Sequence, residues 1–352
     1  MPPPAPRRSS RGPKLTVAVT GPTGEIGVPF LDALDRRPEV GRIIGMARRP
    51  FDPAARGWKK VEYREGDVLD RSAVARLVRG ADVVVHLAFI IVAGDDSRAI
   101  NLEGSRNVFD AAAEAGAKRL VYTSSVAAYG FGPELPDRLT EDTPAAGHER
   151  HPYSAQKAEV EGELERALAG SNTQAYVMRP CIVGGPNGRI LVDSIPLVDL
   201  RARVPAAVRA LFDQVPVLKP VLPDPGIPFQ LVHHDDVASA LCAAVAGRGE
   251  PGVYNLAGDG LLTFSDLARE LGWYSVPVPE LAMDATATVV SRLPFMPDEA
   301  SWVEAFRRPV LMDTAKARAG LGWAPRHDAA DTLAAMVRAH RADLEAATQR
   351  GG

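Results

Sequence analysis

The stretch "KLTVAVTGPTGEIGVPFLDALDRRP", residues 14–38, decides how the chain is read. Its first part, LTVAVT, is a short β-branched run, the composition of a buried strand. From Glu25 onward the apolar positions take up helical spacing. Between them stand Gly21, Gly24 and Gly27, three apart. Glycines so placed allow a tight turn, close backbone approach to a pyrophosphate and close packing of the helix, whose N-terminus then faces the anion. A glycine triplet is weak evidence alone; following a strand and opening a helix, it predicts a nucleotide-binding turn rather than a plain one.

Outward from this unit the alternation continues. GRIIGMARR, KKVEYREGD, ADVVVHLA, KRLVYTSS and TQAYVMRP read as strands; SAVARLVRG, residues 97–115 and the stretch from Tyr153 read as helices. Near-continuous apolar strands alternating with helices predict a doubly wound α/β fold, a parallel Rossmann-type sheet covered on both faces. The expected organisation is a disordered Pro/Arg-rich tail at 1–13, a dinucleotide-binding domain at 14–180, and a smaller irregular substrate region at 181–352 with segments returning to the core. A helix is expected at VPAAVRALFDQV, within the Pro/Gly-rich residues 184–230. GVYNLAG reads as a late strand, and TFSDLARELG and AADTLAAMVRAHRADLEAA as late helices.

Composition narrows the functions. The 352 residues carry a formal net charge of -3, with 46% hydrophobic and 24% charged residues. That balance gives no general attraction to nucleic acid or to an anionic membrane. Cys181 and Cys242 sit among apolar residues without metal or disulfide spacing, which suits a reducing, cytoplasmic compartment. The N-terminal residues read as neither a signal peptide nor a membrane span.

Ligands in such folds bind at the carboxyl ends of the strands, so each end carries an expectation. The second strand ends with Ala47 where an acid would favour NAD, followed by Arg48 and Arg49, which favour the 2'-phosphate of NADP; NAD is the alternative. Asp67 and the Val68 backbone, after the third strand, are placed to meet an adenine edge, although Asp67 could instead cap the next helix. Ala88 lets a cofactor lie close to the backbone after the fourth strand. The fifth strand delivers Ser124 and Ser125.

Tyr153 and Lys157, four residues apart, leave one face of a helix. A phenol near pKa 10 is a poor acid or base at pH 7, and a neighbouring ammonium lowers that value. With a serine hydroxyl to hold the substrate oxygen and a nicotinamide to exchange hydride, the set interconverts a secondary alcohol and a carbonyl.

TGPTGEIG, YTSSVAAYG and YSAQK resemble the glycine motif, serine strand and Tyr-x-x-x-Lys motif of the extended short-chain dehydrogenases/reductases, the NAD(P)-dependent epimerase/dehydratase family. NLEGSRNV from Asn101, MRPCIVGGP from Met178, LVHHDDVASA from Leu231 and GVYNLAG from Gly252 extend the resemblance in order. It implies that Tyr153 is the acid/base, that Lys157 binds the ribose and tunes the tyrosine, that Ser125 polarises the reacting oxygen in preference to Ser124, and that Asn101 shapes the site. It places Gly21, Thr23, Gly24, Glu25, Ile26, Gly27, Leu87, Ala88 and Pro180 against the cofactor, and Phe89 and Ile182 with Ser125 against the substrate. It also implies a homodimer paired through the helices from Ser97 and Tyr153.

Other side chains have plainer readings. Tyr129 is expected to be a packed aromatic and His86 a satisfied core residue. His151 is expected in a simple loop position, and His233 and His234 in a structural motif without metal partners. Phe229 stands where nucleotide-sugar epimerases often place an arginine; Arg201, Arg203, Arg209 or Lys219 are the candidates to replace it. With the apolar run AFIIVAG, this favours a less charged substrate. The expected activity is an NAD(P)-dependent oxidoreductase acting on a secondary alcohol or carbonyl. The alternatives are a nucleotide-sugar epimerase/dehydratase with tightly bound NAD and a non-catalytic NAD(P)-sensing regulator.

Overall fold

A computed structural model describes residues 13–91, 97–188, 190–193, 219–278 and 308–350. Residues 1–12, the expected helix VPAAVRALFDQV, and Arg201, Arg203 and Arg209 lie outside the described residues. In chain order the first half runs β1 (Leu15–Thr20), α1 (Gly27–Asp35), β2 (Val40–Ala47), β3 (Val61–Glu65), α2 (Arg71–Val78), β4 (Val83–His86), α3 (Ser97–Glu114), β5 (Arg119–Thr123), β6 (Arg138–Leu139), α4 (Pro152–Leu168) and β7 (Gln174–Pro180). The second half runs β8 (Ile182–Gly184), α5 (Ile190–Asp193), β9 (Val221–Asp224), β10 (Leu231–His233), α6 (His234–Val245), β11 (Gly252–Leu256), α7 (Phe264–Leu271), β12 (Tyr274–Pro277), β13 (Leu311–Met312), α8 (Ala315–Leu321) and α9 (Ala329–Arg350).

Seven strands form one parallel sheet in the order β11-β7-β5-β4-β1-β2-β3. From β1 the chain moves outward to β2 and β3, then crosses to β4 on the other side of β1. The reversal opens a crevice between the carboxyl ends of β1 and β4, the position at which such sheets bind ligands. Strand side chains alternate between two apolar layers. Val17, Val19, Val83, Val85 and Met178 pack with α1 and α6, while Ala18, Val84, Leu120 and Tyr122 pack with α2, α3 and α4. Burial of both faces explains why the strands lack the polar alternation of a half-exposed sheet.

The GVYNLAG strand pairs with β7 and completes the sheet, and α6 packs against α1. A third apolar cluster, from Leu191, Phe229, Leu231, Leu267, Trp273 and Met336, lies in the second half of the chain.

The two helices expected to pair with a second copy bury Ile100, Val108, Ala112, Val160 and Leu164 inside the chain. Their outer surface carries cross-helix ion pairs, Arg98–Glu159 at 3.0 Å, Arg106–Glu163 at 2.7 Å and Arg166–Asp110 at 3.0 Å. Among the described residues, no helix is long and apolar enough to cross a membrane.

Candidate active site

The glycine turn is built as its spacing predicts. Gly21 has φ +69°, and a Cβ there would come within 2.7 Å of the Ala88 nitrogen, so glycine lets β1 and the end of β4 approach. A Cβ on Gly27 would lie 2.2 Å from the Gly21 carbonyl oxygen, so only glycine lets α1 start against the turn. Gly24 differs: its Cβ would meet nothing closer than 3.6 Å within the protein, and it lines the crevice. The space beside Gly24 is therefore available to a ligand.

That crevice is a cavity of about 650 Å3. Gly21, Gly24, Glu25, Ile26 and Gly27 line one side. Leu87 and Phe89, Ser125, Tyr153, Lys157, Pro180 and Ile182 converge on the same space from different strand ends and from α4. The expected residues of the reacting centre thus line one cavity at the β1–β4 switch point, with the open space beside Gly24 at its edge. Thr23, Arg48 and Arg49 are exposed, and with Asp67, Val68 and Ala88 they stand outside the cavity lining. Arg48 and Arg49 follow the carboxyl end of β2 directly.

Local chemistry fixes α4, which presents the Tyr–Lys pair. His151 is its N-cap, accepting a hydrogen bond from the Ser154 amide at 3.2 Å, and Pro152 begins the helix. His151 is thus a buried cap rather than a simple loop residue. The Ser154 hydroxyl donates to the Ala127 carbonyl at 2.6 Å, tying the helix to the turn after β5. One turn on, Lys157 donates to the Thr123 carbonyl at 2.9 Å and the Tyr122 hydroxyl at 3.3 Å.

Burial sets the protonation states. It raises the Tyr153 phenol to about 12; the Ser125 hydrogen bond opposes this rise and Glu25 adds to it. It lowers Lys157 to about 7, against the attraction of Glu161. The causes that set the phenol are burial, the Ser125 hydrogen bond and Glu25, and burial is the largest of them.

The neighbouring serines separate cleanly. Ser124 donates to Glu161 at 2.5 Å, and Glu161 is held by Arg179 through Nε at 2.9 Å and Nη2 at 2.5 Å. The Arg179 guanidinium lies 4.3 Å from the Tyr129 ring centroid, and the Tyr129 hydroxyl donates to Asn255 at 2.7 Å. Tyr129 is fully buried, so it is the packed aromatic expected.

Asn101 is almost fully buried. Its side-chain oxygen accepts from the Ile90 amide at 2.8 Å, and its amide group donates to the Ile90 carbonyl at 2.9 Å and to Gln156 at 2.7 Å. It therefore ties Ile90, after β4, to α4 and stands outside the cavity lining. His86 bridges Thr20 at 2.7 Å and Ser105 at 2.9 Å and is pushed down to about 3, first by burial and then by Lys157. It is a satisfied core histidine.

Asp67 and His233 also depart from expectation. Asp67 forms a local turn by accepting from the Leu69 amide at 3.0 Å; the cap of α2 is Asp70, which accepts from the Ser72 and Ala73 amides. His233, Asp235 and His327 bring ligand atoms within 4.8 Å of one another, so His233 does have neighbours of metal-binding type. His327 comes from far along the chain and stacks on His233 at 3.9 Å, which spacing alone cannot reveal. His233 Nδ1 accepts the Asp235 amide at 3.2 Å as the cap of α6. A neutral ring that accepts there carries its proton on Nε2, so neither nitrogen presents an open lone pair.

Phe229, singled out in the sequence, lines the cavity, as do residues that motif reading missed: Phe131, Leu191, Ile227 and Val310 complete an apolar wall, and Arg308 adds a cation. Arg308 is held by the Gly132 carbonyl at 3.1 Å and lies beyond the last family-like motif. Lys219, by contrast, is directed at the Tyr274 ring, 5.9 Å from its centroid.

Residues 17–257 match the model of the NAD dependent epimerase/dehydratase family. The chain belongs to that family. The family member is 28% identical over 328 residues to 3-diazoavenalumate denitrifying reductase of Streptomyces sp, covering 89% of this chain and 97% of that enzyme. It is 31% identical over 206 residues to human 3 beta-hydroxysteroid dehydrogenase type 7, a match spanning 53% of this chain and 54% of the human enzyme. Among solved structures, UDP-glucuronic acid 4-epimerase from Bacillus cereus in complex with NAD superimposes with a TM-score of 0.69 at 17% identity, covering 94% of this chain and 99% of that one. That likeness shows a shared fold.

Proposed function

We propose that this family member is an NAD(P)-dependent oxidoreductase that interconverts a secondary alcohol and a carbonyl. The observation that carries the proposal is the convergence of Ser125, Tyr153 and Lys157 on one cavity beneath the glycine turn. When bound, the nicotinamide supplies or accepts the hydride. The Ser125 hydroxyl holds the substrate oxygen, and the Tyr153 phenol gives that oxygen its proton as a carbonyl is reduced. A phenol raised to about 12 is protonated at neutral pH, the state required of an acid. Lys157, one turn on from Tyr153, holds the ribose once the Phe89 ring is displaced from its Nζ. In the reverse direction Tyr153 takes the alcohol proton.

Arg48 and Arg49, at a strand end without an acid, support NADP as the preferred cofactor. The apolar wall supports an apolar substrate body, because buried methylenes there find no polar group to desolvate. The human relative, a hydroxysteroid dehydrogenase, agrees with this choice. A second reading, nucleotide-sugar epimerisation or dehydration, is favoured by Arg308, which brings a cation into the cavity.

A panel of aryl and alicyclic ketones with NADPH or NADH, followed at the nicotinamide absorbance, tests the first reading; a UDP-sugar incubated without external cofactor tests the second. Stoichiometric NADPH consumption on an apolar ketone is the expected result. Conversion of the UDP-sugar with no ketone reduction would replace the first reading with the second.

A further inference from the structure

Lys157 is already engaged on its cavity side. Its Nζ sits 3.6 Å from the centroid of the Phe89 ring, and the same ring meets Tyr153 edge-on at 5.7 Å and 90°. An ammonium has three N–H groups. Two meet the Thr123 carbonyl and the Tyr122 hydroxyl, which belong to the floor of the site. The third side of Nζ is covered by the face of Phe89, an aromatic cap on a desolvated cation. Any hydroxyl that is to bind Lys157 from the cavity has to take the place of that ring.

The backbone beside Phe89 is anchored. Asn101 binds both the amide and the carbonyl of Ile90, at 2.8 Å and 2.9 Å, and reaches across to Gln156 on the helix that carries Lys157. Ile90 is thereby tied to the helix that carries Lys157, and turning the Phe89 side chain uncovers Lys157 without breaking that anchor. The ring is half-buried and lines the cavity, so there is room for it to turn.

We propose that Phe89 is a stopper that competes with the dinucleotide for Lys157 and turns into the substrate side of the cavity when the ribose binds. This rests on the dinucleotide-binding reading above. The ring-on state is incompetent for binding, so it lowers the apparent affinity by the fraction of molecules that occupy it. A cation–aromatic contact sheltered from water corresponds to an effect of about threefold to thirtyfold. The ring thus sets cofactor release as well as capture, and its replacement is expected to tighten binding although it removes a residue of the site.

The test is a fluorescence titration at pH 6, where Lys157 carries its proton, of NADPH, and in parallel NADH, into the wild-type protein and the Phe89→Leu and Phe89→Ala variants, with melting curves for each. Phe89→Leu keeps apolar volume and removes the aromatic face, so it separates the cap from simple packing. The expected result is an NADPH Kd lower by about threefold to thirtyfold in both variants. A Kd unchanged or raised in Phe89→Leu, with its melting temperature retained, would overturn the stopper and make Phe89 an ordinary wall of the site. Tight binding by the variants alone, with none by wild type, would be its strongest form. Absence of binding by all three proteins to both cofactors removes the dinucleotide reading itself, which is a different outcome from a wild type that binds more tightly than its variants.

Discussion

Ser124 and Glu161 are joined by a buried hydrogen bond of 2.5 Å, which engages one of two adjacent serines that both line the cavity. Consecutive residues leaving a strand point to opposite sides. Ser124 is turned to the Glu161–Arg179 pair, and Ser125 is turned to Tyr153. Replacing Ser125 by Ala is expected to lower kcat/KM for carbonyl reduction by about 10²–10³, the scale for losing one hydrogen-bond donor to a developing oxyanion. Replacing Ser124 by Ala leaves a buried carboxylate short of a partner and should cost about 1–3 kcal/mol of stability with turnover largely retained. Paired kinetics and melting curves check this. The reverse pattern would exchange the roles.

The glycine turn separates space needed by the fold from space needed by the ligand. Gly24→Ala meets no protein atom closer than 3.6 Å, so the melting temperature should hold while dinucleotide affinity falls by about tenfold or more. Gly27→Ala places a methyl 2.2 Å from the Gly21 carbonyl oxygen and should destabilise the protein outright. Titration of NADPH together with thermal denaturation distinguishes the two. Undiminished binding by Gly24→Ala would place the pyrophosphate elsewhere.

Burial of the Tyr–Lys pair makes definite pH predictions. Lys157 titrates near about 7 when folded and at its ordinary 10.5 when unfolded. Between these values the unfolded chain holds a proton that the folded chain has released, so stability rises with pH across that window and is flat below it. Lys157→Met should abolish the rise and increase the melting temperature at pH 7 by about 2–5 °C, while weakening cofactor binding. For Tyr153, at about 12, the phenolate needed for alcohol oxidation grows about tenfold per pH unit from pH 7 to 10, whereas reduction, which uses the phenol, stays level. An oxidation rate already level at pH 7 would contradict this.

The sheet and the reacting centre were legible because their signals are local. A strand, a glycine turn and a helix follow one another within residues 14–38, and Tyr153 and Lys157 are one helical turn apart. The rest depends on contacts between distant segments. Arg308 enters the cavity from beyond the last motif, and His327 reaches His233 only because the chain after α8 folds back. The Phe89–Lys157 contact is equally hidden, since nothing in AFIIVAG says which way its ring turns. Asn101 was recognisable, but its partners, Ile90 and Gln156, were not. The protonation states also escaped the sequence. Spacing shows that Lys157 and Tyr153 share a helix face, but not how deeply burial raises the phenol.

The most direct test of proton transfer at Tyr153 is the Tyr153→Phe variant, assayed for NADPH binding by fluorescence and for reduction of the best ketone from the panel. The account predicts NADPH affinity within about threefold of wild type and a fall in kcat of about 10²–10⁴, the range for losing a positioned general acid. Wild-type turnover in Tyr153→Phe would contradict it.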